Sequence, residues 1–216
     1  MIDIVIPNNN EEEFIVIAEK LGYNGLCFLY DLNDYSIKKR KFESNKIKIH
    51  TGILANNKNL NKVKNVLENQ RFSGHRKSKA FSSELKNEKS FVAVRSSYND
   101  KDTIEKLKPN IIFSFEDNDK RDFIHQRASG LNHILCKSAK ENDIIIGFSL
   151  SPILNAENKH IVLGKIMQNI VLCRKFKVKT AIVSLARNPF EMRSPHDLIS
   201  LFNVLGCKNP NFLRNI

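Results

Sequence analysis

Apolar residues in this chain fall in short runs separated by stretches with helical spacing. The first run, residues 2–6 (IDIVI), precedes residues 11–21, where Phe14, Ile15, Ile17, Ala18 and Leu21 fit one helical face. A run at 25–30 (GLCFLY) leads into a charged segment from Ser36, and a run at 46–54 (KIKIHTGIL) leads into a helical pattern over 59–67. Further runs lie at 91–94, 111–115, 144–150 and 180–185, with helical patterns after most of them. Seven runs alternating with helices predict a parallel sheet covered by helices, because parallel neighbours need crossover connections. Continuous apolar strands such as IIIGF and TAIVSL fit burial on both faces. The sequence has no G-x-G-x-x-G and no G-x-x-x-x-G-K. The pattern therefore favours an α/β, TIM-barrel-like fold, an irregular β/α barrel with one strand poorly visible, over an open doubly wound sheet.

The length of 216 residues fits a single domain over 1–216. A chain of this size buries about 70% of its unfolded surface, so no disulfide or structural metal is required. Cys27, Cys136, Cys173 and Cys207 are scattered, with no C-x-x-C pair, and each reads as a small buried hydrophobe. With no signal-peptide pattern, this cysteine usage suits a reducing cytoplasm. No window approaches about 18 consecutive apolar residues, so no membrane span is expected. One excursion interrupts the domain at about 69–89 (NQRFSGHRKSKAFSSELKNEK), a stretch without periodicity that carries Phe72 and Phe81. It reads either as a segment meeting RNA on phosphate and base or as a flexible solubilising insertion.

Charge changes the picture. With 35 Lys and Arg against 23 Asp and Glu, the net charge is +12, which points to a polyanionic partner through counterion release. Biased Lys usage on a solvated face is the bland account. The excess is +6 on either side of Lys108, so no tail carries it and a folded surface must display it. Residues 127–179 hold nine Lys and Arg against three acids. The acidic stretch 115–122 (FEDNDKRD) lacks calcium-loop spacing and is expected to be a solvated loop.

Three segments carry the functional argument. Ser129 is placed to cap a helix running to about Asn142, with Leu131, Ile134, Leu135, Ser138 and Ala139 on the packed stripe. His133, Lys137 and Lys140 then fall on the outward face, approached by Arg127, an arrangement suited to tracking phosphates. The next predicted helix, about 160–175, packs Leu163, Ile166, Met167, Ile170 and Val171 and ends in CRKFKVK. Helix-dipole complementarity explains some of those cations, and Arg174 is the preferred anion-binding candidate because a guanidinium engages phosphate bidentately. In the third, Ser194, Pro195 and Asp197 form a capping start, Leu198, Leu201, Phe202 and Leu205 pack, and Gly206 stops the helix. Its start follows the last clear strand, where barrels often bind phosphate, with Arg187 and Arg193 alongside.

RASGLNHILCKSAKENDIIIGFSLSPIL, then QNIVLCRKFKVKTAIVSLA and MRSPHDLISLFNVLG, resembles the archaeal ribonuclease P protein component 3 family and its eukaryotic nuclear counterpart. The resemblance covers about residues 127–206; the first half agrees mainly in strand order and in an N-terminal IDIVIP. The segment FVAVRSSYND departs from the family pattern, lacking an acidic, glycine-rich ending after that strand. The resemblance implies a barrel related in shape to metal-dependent phosphoesterases of the polymerase and histidinol phosphatase type. It also implies a subunit of the ribonucleoprotein that removes 5′ leaders from precursor tRNA. There the RNA binds Mg2+ and performs the hydrolysis, while the protein binds no cofactor. The implied partners are the catalytic RNA, a small ferredoxin-like subunit, other ribonuclease P proteins and precursor tRNA, with no membrane. Carried onto this chain, the RNA contacts are Arg127, His133, Lys137, Lys140, Arg174 and Arg193, and no catalytic or metal-binding residue is assigned.

Two enzymatic alternatives compete. A metallohydrolase of the related fold needs an H-x-H pair at the end of the first strand, which here reads IDIVIP. His50, His75, His125, His133, His160 and His196 form neither H-x-H nor H-E-x-x-H, although His50 ends a strand and is a possible ligand. No cysteine sits in an activating motif. A metabolic barrel enzyme using the phosphate site near Ser194 would rely on Asp3, Asp31, His50 and Arg95, which show no recognisable pairing.

Overall fold

The computed structural model describes residues 1–38, 42, 44, 46–56, 59–72 (backbone alone from 67), 90–117, 122, 127–208 and 212–213. Seven strands, β1 (Ile2–Val5), β2 (Gly25–Tyr30), β3 (Lys48–Ala55), β4 (Phe91–Arg95), β5 (Ile111–Phe113), β6 (Ile145–Ser149) and β7 (Thr180–Val183), pair in chain order, every neighbour parallel. The ring is nearly closed: Leu185 N–H donates to the Ile4 carbonyl and Ile6 N–H to the Ala186 carbonyl, both at 2.9 Å. The expected irregular β/α barrel is therefore present. The strand that was poorly visible in the sequence does not appear among the described residues, because the stretch just after β7 takes over closure against β1.

Alternation along the strands explains the two-face burial. All six residues of β2 are buried; Leu26, Phe28 and Tyr30 join the cluster beneath the helices, whereas Cys27 and Leu29 join a second cluster inside the barrel. That inner layer, with Ile2, Ile4, Phe91, Ile111, Phe113 and Val183, leaves no room at Gly147, where a Cβ would lie 2.9 Å from Ile111 Cδ1. A period of two with both faces apolar is what a strand walled by helices outside and side chains inside requires. All four cysteines are buried.

The helices follow the strands: α1 (Glu11–Leu21), α2 (Leu32–Lys38), α3 (Leu60–Phe72), α4 (Asp100–Asp102) continuing as a π-helical turn (Thr103–Leu107), α5 (His133–Glu141), α6 (Ser151–Asn155), α7 (Lys159–Phe176) and α8 (Pro195–Val204). The basic excursion expected at about 69–89 begins inside α3, whose backbone runs to Phe72; residues 73–89 lie outside the described residues. No helix among the described residues is long and apolar enough to cross a membrane.

Candidate nucleic-acid interface

α5 is set by its cap. The Asn132 side chain accepts from Leu135 N–H at 2.9 Å, so the helix begins at His133, not after Ser129. Ser129 is buried, and its carbonyl accepts from Asn169 Nδ2 of α7 at 2.9 Å. Leu135, Cys136, Ser138 and Ala139 are buried, and Ile134, expected inside, is 51% exposed. The outward placement of His133, Lys137 and Lys140 agrees with the sequence pattern: all three are exposed and span about 10 Å along the helix.

Arg127, which precedes α5 in the chain, is held from two sides. Its Nε sits 3.4 Å from Asp122 Oδ2, its carbonyl accepts from Gln168 Nε2 at 3.2 Å, and its guanidinium occupies the space a side chain at Gly164 of α7 would fill. Arg127 is thus an exposed cation with a built seat across α7. Arg174 is exposed in the last turn of the same helix, at the opposite end of the barrel. Arg193 stands apart from both. Its Nη1 donates to the Phe190 and Met192 carbonyls, 2.8 Å each, holding the 3-10 turn (Pro189–Glu191) ahead of α8. The structure therefore lines up His133, Lys137 and Lys140 along α5, seats Arg127 against α7, places Arg174 in the last turn of α7 just ahead of the Lys177 that lies near Lys140, and leaves Arg193 apart.

The capping start of α8 is as expected: Ser194 Oγ accepts from Asp197 N–H at 3.2 Å and donates to Asp197 Oδ2 at 2.9 Å, with Leu198 and Phe202 buried. On α7, by contrast, Met167 and Val171 are exposed at 46% and 51%, while Lys165 and Asn169 are buried. Ile166 and Ile170 are buried as expected, and the Asn169 side chain, donating to the Ser129 carbonyl, shares the inner face with them.

Sequence reasoning missed two features. Lys177 and Lys179 join Lys140 around a dent of about 250 Å3, with Lys179 Nζ 2.6 Å from Asp143 Oδ1. Nearness across the ends of α5 and α7 makes this group, and chain separation hides it. The second feature corrects the solvated-loop expectation for the acidic stretch at one residue: Asp117 and Asp122 are exposed and 118–121 lie outside the described residues, but Glu116 is 2% exposed and neither carboxylate oxygen has a hydrogen-bond donor from another residue. Burial pushes its carboxyl up to about 7. It lines a cavity of about 1000 Å3 at the C-terminal ends of the strands, along with Arg95, Asp117, Lys165 and Arg187; Arg95 and Asp117 form an ion pair. Asp3 is also buried, and burial raises it to about 6. Its Oδ1 accepts from Ile4 N–H and Ser184 N–H at 2.8 and 2.7 Å, which ties it to barrel closure. No group of three or more His, Cys, Asp or Glu able to hold a metal ion lies among the described residues.

Fold and surface together define a class: a β/α-barrel protein with a helix-borne cationic face. Residues 120–211 match the family model described as RNase P subunit p30. A ribonuclease P protein component 3 from Methanosarcina acetivorans is 35% identical over 92 residues, covering 42% of this chain and 38% of that protein. The counterpart from Methanococcus vannielii is 20% identical over 202 residues, 90% of this chain and 79% of that protein. A solved chain from the cryo-EM structure of archaeal ribonuclease P with mature tRNA superposes with a TM-score of 0.70 at 20% identity, over 95% of this chain and 83% of that one. Sequence similarity to ribonuclease P protein component 3 is thus strongest in the C-terminal half, under two fifths of the Methanosarcina protein, while the shared fold extends along nearly the whole chain.

Proposed function

We propose that this chain is an RNA-binding protein subunit of ribonuclease P, acting in the cytoplasm within the particle that removes 5′ leaders from precursor tRNA. The observation that supports it most is the outward stripe His133, Lys137 and Lys140 on α5, with Arg127 exposed against the neighbouring α7, inside the segment matching the RNase P subunit p30 family. A rigid helix presenting cations at fixed spacing offsets phosphate repulsion, so that RNA elements pack and the RNA's own Mg2+ sites are favoured. The chain itself contributes position and charge, and the RNA contributes the hydrolysis. The partners in this reading are the catalytic RNA, a small ferredoxin-like subunit and precursor tRNA.

The salt dependence of RNA binding tests the stripe. Replacing Lys137 and Lys140 together with Ala should lower the slope of log K against log salt by up to about two phosphate equivalents. Thermal stability should stay within about 0.5 kcal/mol of the parent, since both side chains are exposed. An unchanged slope would show that the stripe only meets water.

A further inference from the structure

The α5 stripe leaves a wide concavity at the barrel mouth unused. The cavity of about 1000 Å3 opens at the C-terminal ends of the strands, and two of the loops leaving that end share one spacing. Arg95 ends β4 and Tyr98 follows three residues on; Arg187 follows β7 and Phe190 comes three residues later. Both arginines line the cavity, and the aromatic side chains are 86% and 78% exposed. One exposed aromatic is ordinary on a protein surface, but two on the same face, each paired in sequence with a cavity-lining guanidinium, form a pattern.

The lining is of mixed charge. Arg95, Lys165 and Arg187 face Asp117, Asp122 and Glu157, and Glu116 adds a buried carboxyl group without a hydrogen-bond donor from another residue. A bare polyanion is poorly served by such a lining. A nucleotide is better served, because its base is flat, neutral and edged with N–H donors while its phosphates are anionic. Aromatic faces stack unpaired bases, carboxylates accept from exocyclic amines, and guanidiniums hold the flanking phosphates.

We propose that the C-terminal mouth of the barrel holds an unpaired nucleotide of single-stranded RNA, with Arg187 and Arg95 on its phosphates and Phe190 or Tyr98 against its base. The acid-bearing wall accepts from the base edge. This rests on the RNA-binding role above but uses none of the α5 stripe residues, so the two can fail separately.

The test uses the full chain, an eight-nucleotide labelled RNA strand of mixed sequence, and that strand annealed to its complement, with binding followed by fluorescence anisotropy at one salt concentration. The parent should prefer the single strand about tenfold or more. Arg187→Ala with Phe190→Ala should bring the ratio of the two affinities close to one, within the 5- to 150-fold range expected for losing one stacked base (~1–3 kcal/mol). Lys137→Ala with Lys140→Ala should weaken both forms and keep the ratio. Because a variant can misfold, the parent is also crosslinked to a 4-thiouridine strand, with adducts expected within 95–98 or 187–190. Equal affinity of the parent for both RNA forms, an unchanged ratio in the mouth variant, or adducts confined to other segments would overturn the proposal. So would binding of an arginine-rich peptide at the mouth without the single strand, which would assign the site to a protein partner.

Discussion

Glu116 shows how much one side chain can hide from sequence. Within FEDNDKRD it looks like one acid among several, yet it is buried with no donor from another residue while its neighbour Asp117 pairs with Arg95. A carboxyl held at about 7, against its ordinary 4.5, keeps a proton in the folded state that the unfolded chain releases earlier. The folded chain therefore binds more protons than the unfolded one between those values, and stability falls as pH rises through that window and levels off above it. Asp3, raised from 3.8 to about 6, acts in the same direction at lower pH. Glu116→Gln should reduce the loss of stability between pH 5 and pH 8 by on the order of 1–3 kcal/mol. Urea unfolding at the two pH values measures this; equal losses in parent and variant would place the carboxyl in contact with water.

Among the elements, α5 and α7 were legible in position but not in phase. Their existence, their direction and the exposure of His133, Lys137 and Lys140 followed from spacing alone. The cap did not, because Ser129 and Asn132 are both good N-cap residues and only the bond from Leu135 N–H to the Asn132 side chain shows which one caps the helix. The inner face of α7 was misjudged for a related reason: Lys165 and Asn169 serve interior contacts, which leaves Met167 and Val171 in water. The seat of Arg127 against Gly164 gives this helix pair a direct test. Gly164→Ala places a methyl group where the guanidinium lies, and the long arginine side chain can move aside at small cost. Gaining alanine in a helix interior should raise stability by up to about 1 kcal/mol. RNA affinity should nevertheless fall toward that of Arg127→Ala. A variant that is stabilised and binds RNA as the parent does would remove Arg127 from the interface.

For the whole molecule, the seven-run pattern carried the barrel, and the charge balance carried the expectation of a polyanion. The mouth of the barrel was not legible, since Arg95, Glu116, Lys165 and Arg187 come from four separate places in the chain. The role proposed for the chain sets a reconstitution test. Alone with Mg2+ it should not cleave precursor tRNA, and with the cognate RNA and the ferredoxin-like subunit it should stimulate 5′-leader removal. Robust metal-dependent cleavage by the isolated chain, abolished by His50→Ala, would transfer the chemistry to the protein.

The hydrogen bonds joining β1 to the stretch after β7 have a further effect. Ile2 N–H, the Ile4 carbonyl and Ile6 N–H are all taken by the chain's own backbone, so the outer edge of β1 offers no open row of N–H and C=O groups, and neither strand addition by another protein nor edge-to-edge stacking of copies has a template there. A protein approaching that edge would meet helices and loops, so side-chain shape and charge, rather than backbone pairing, would decide whether it docks.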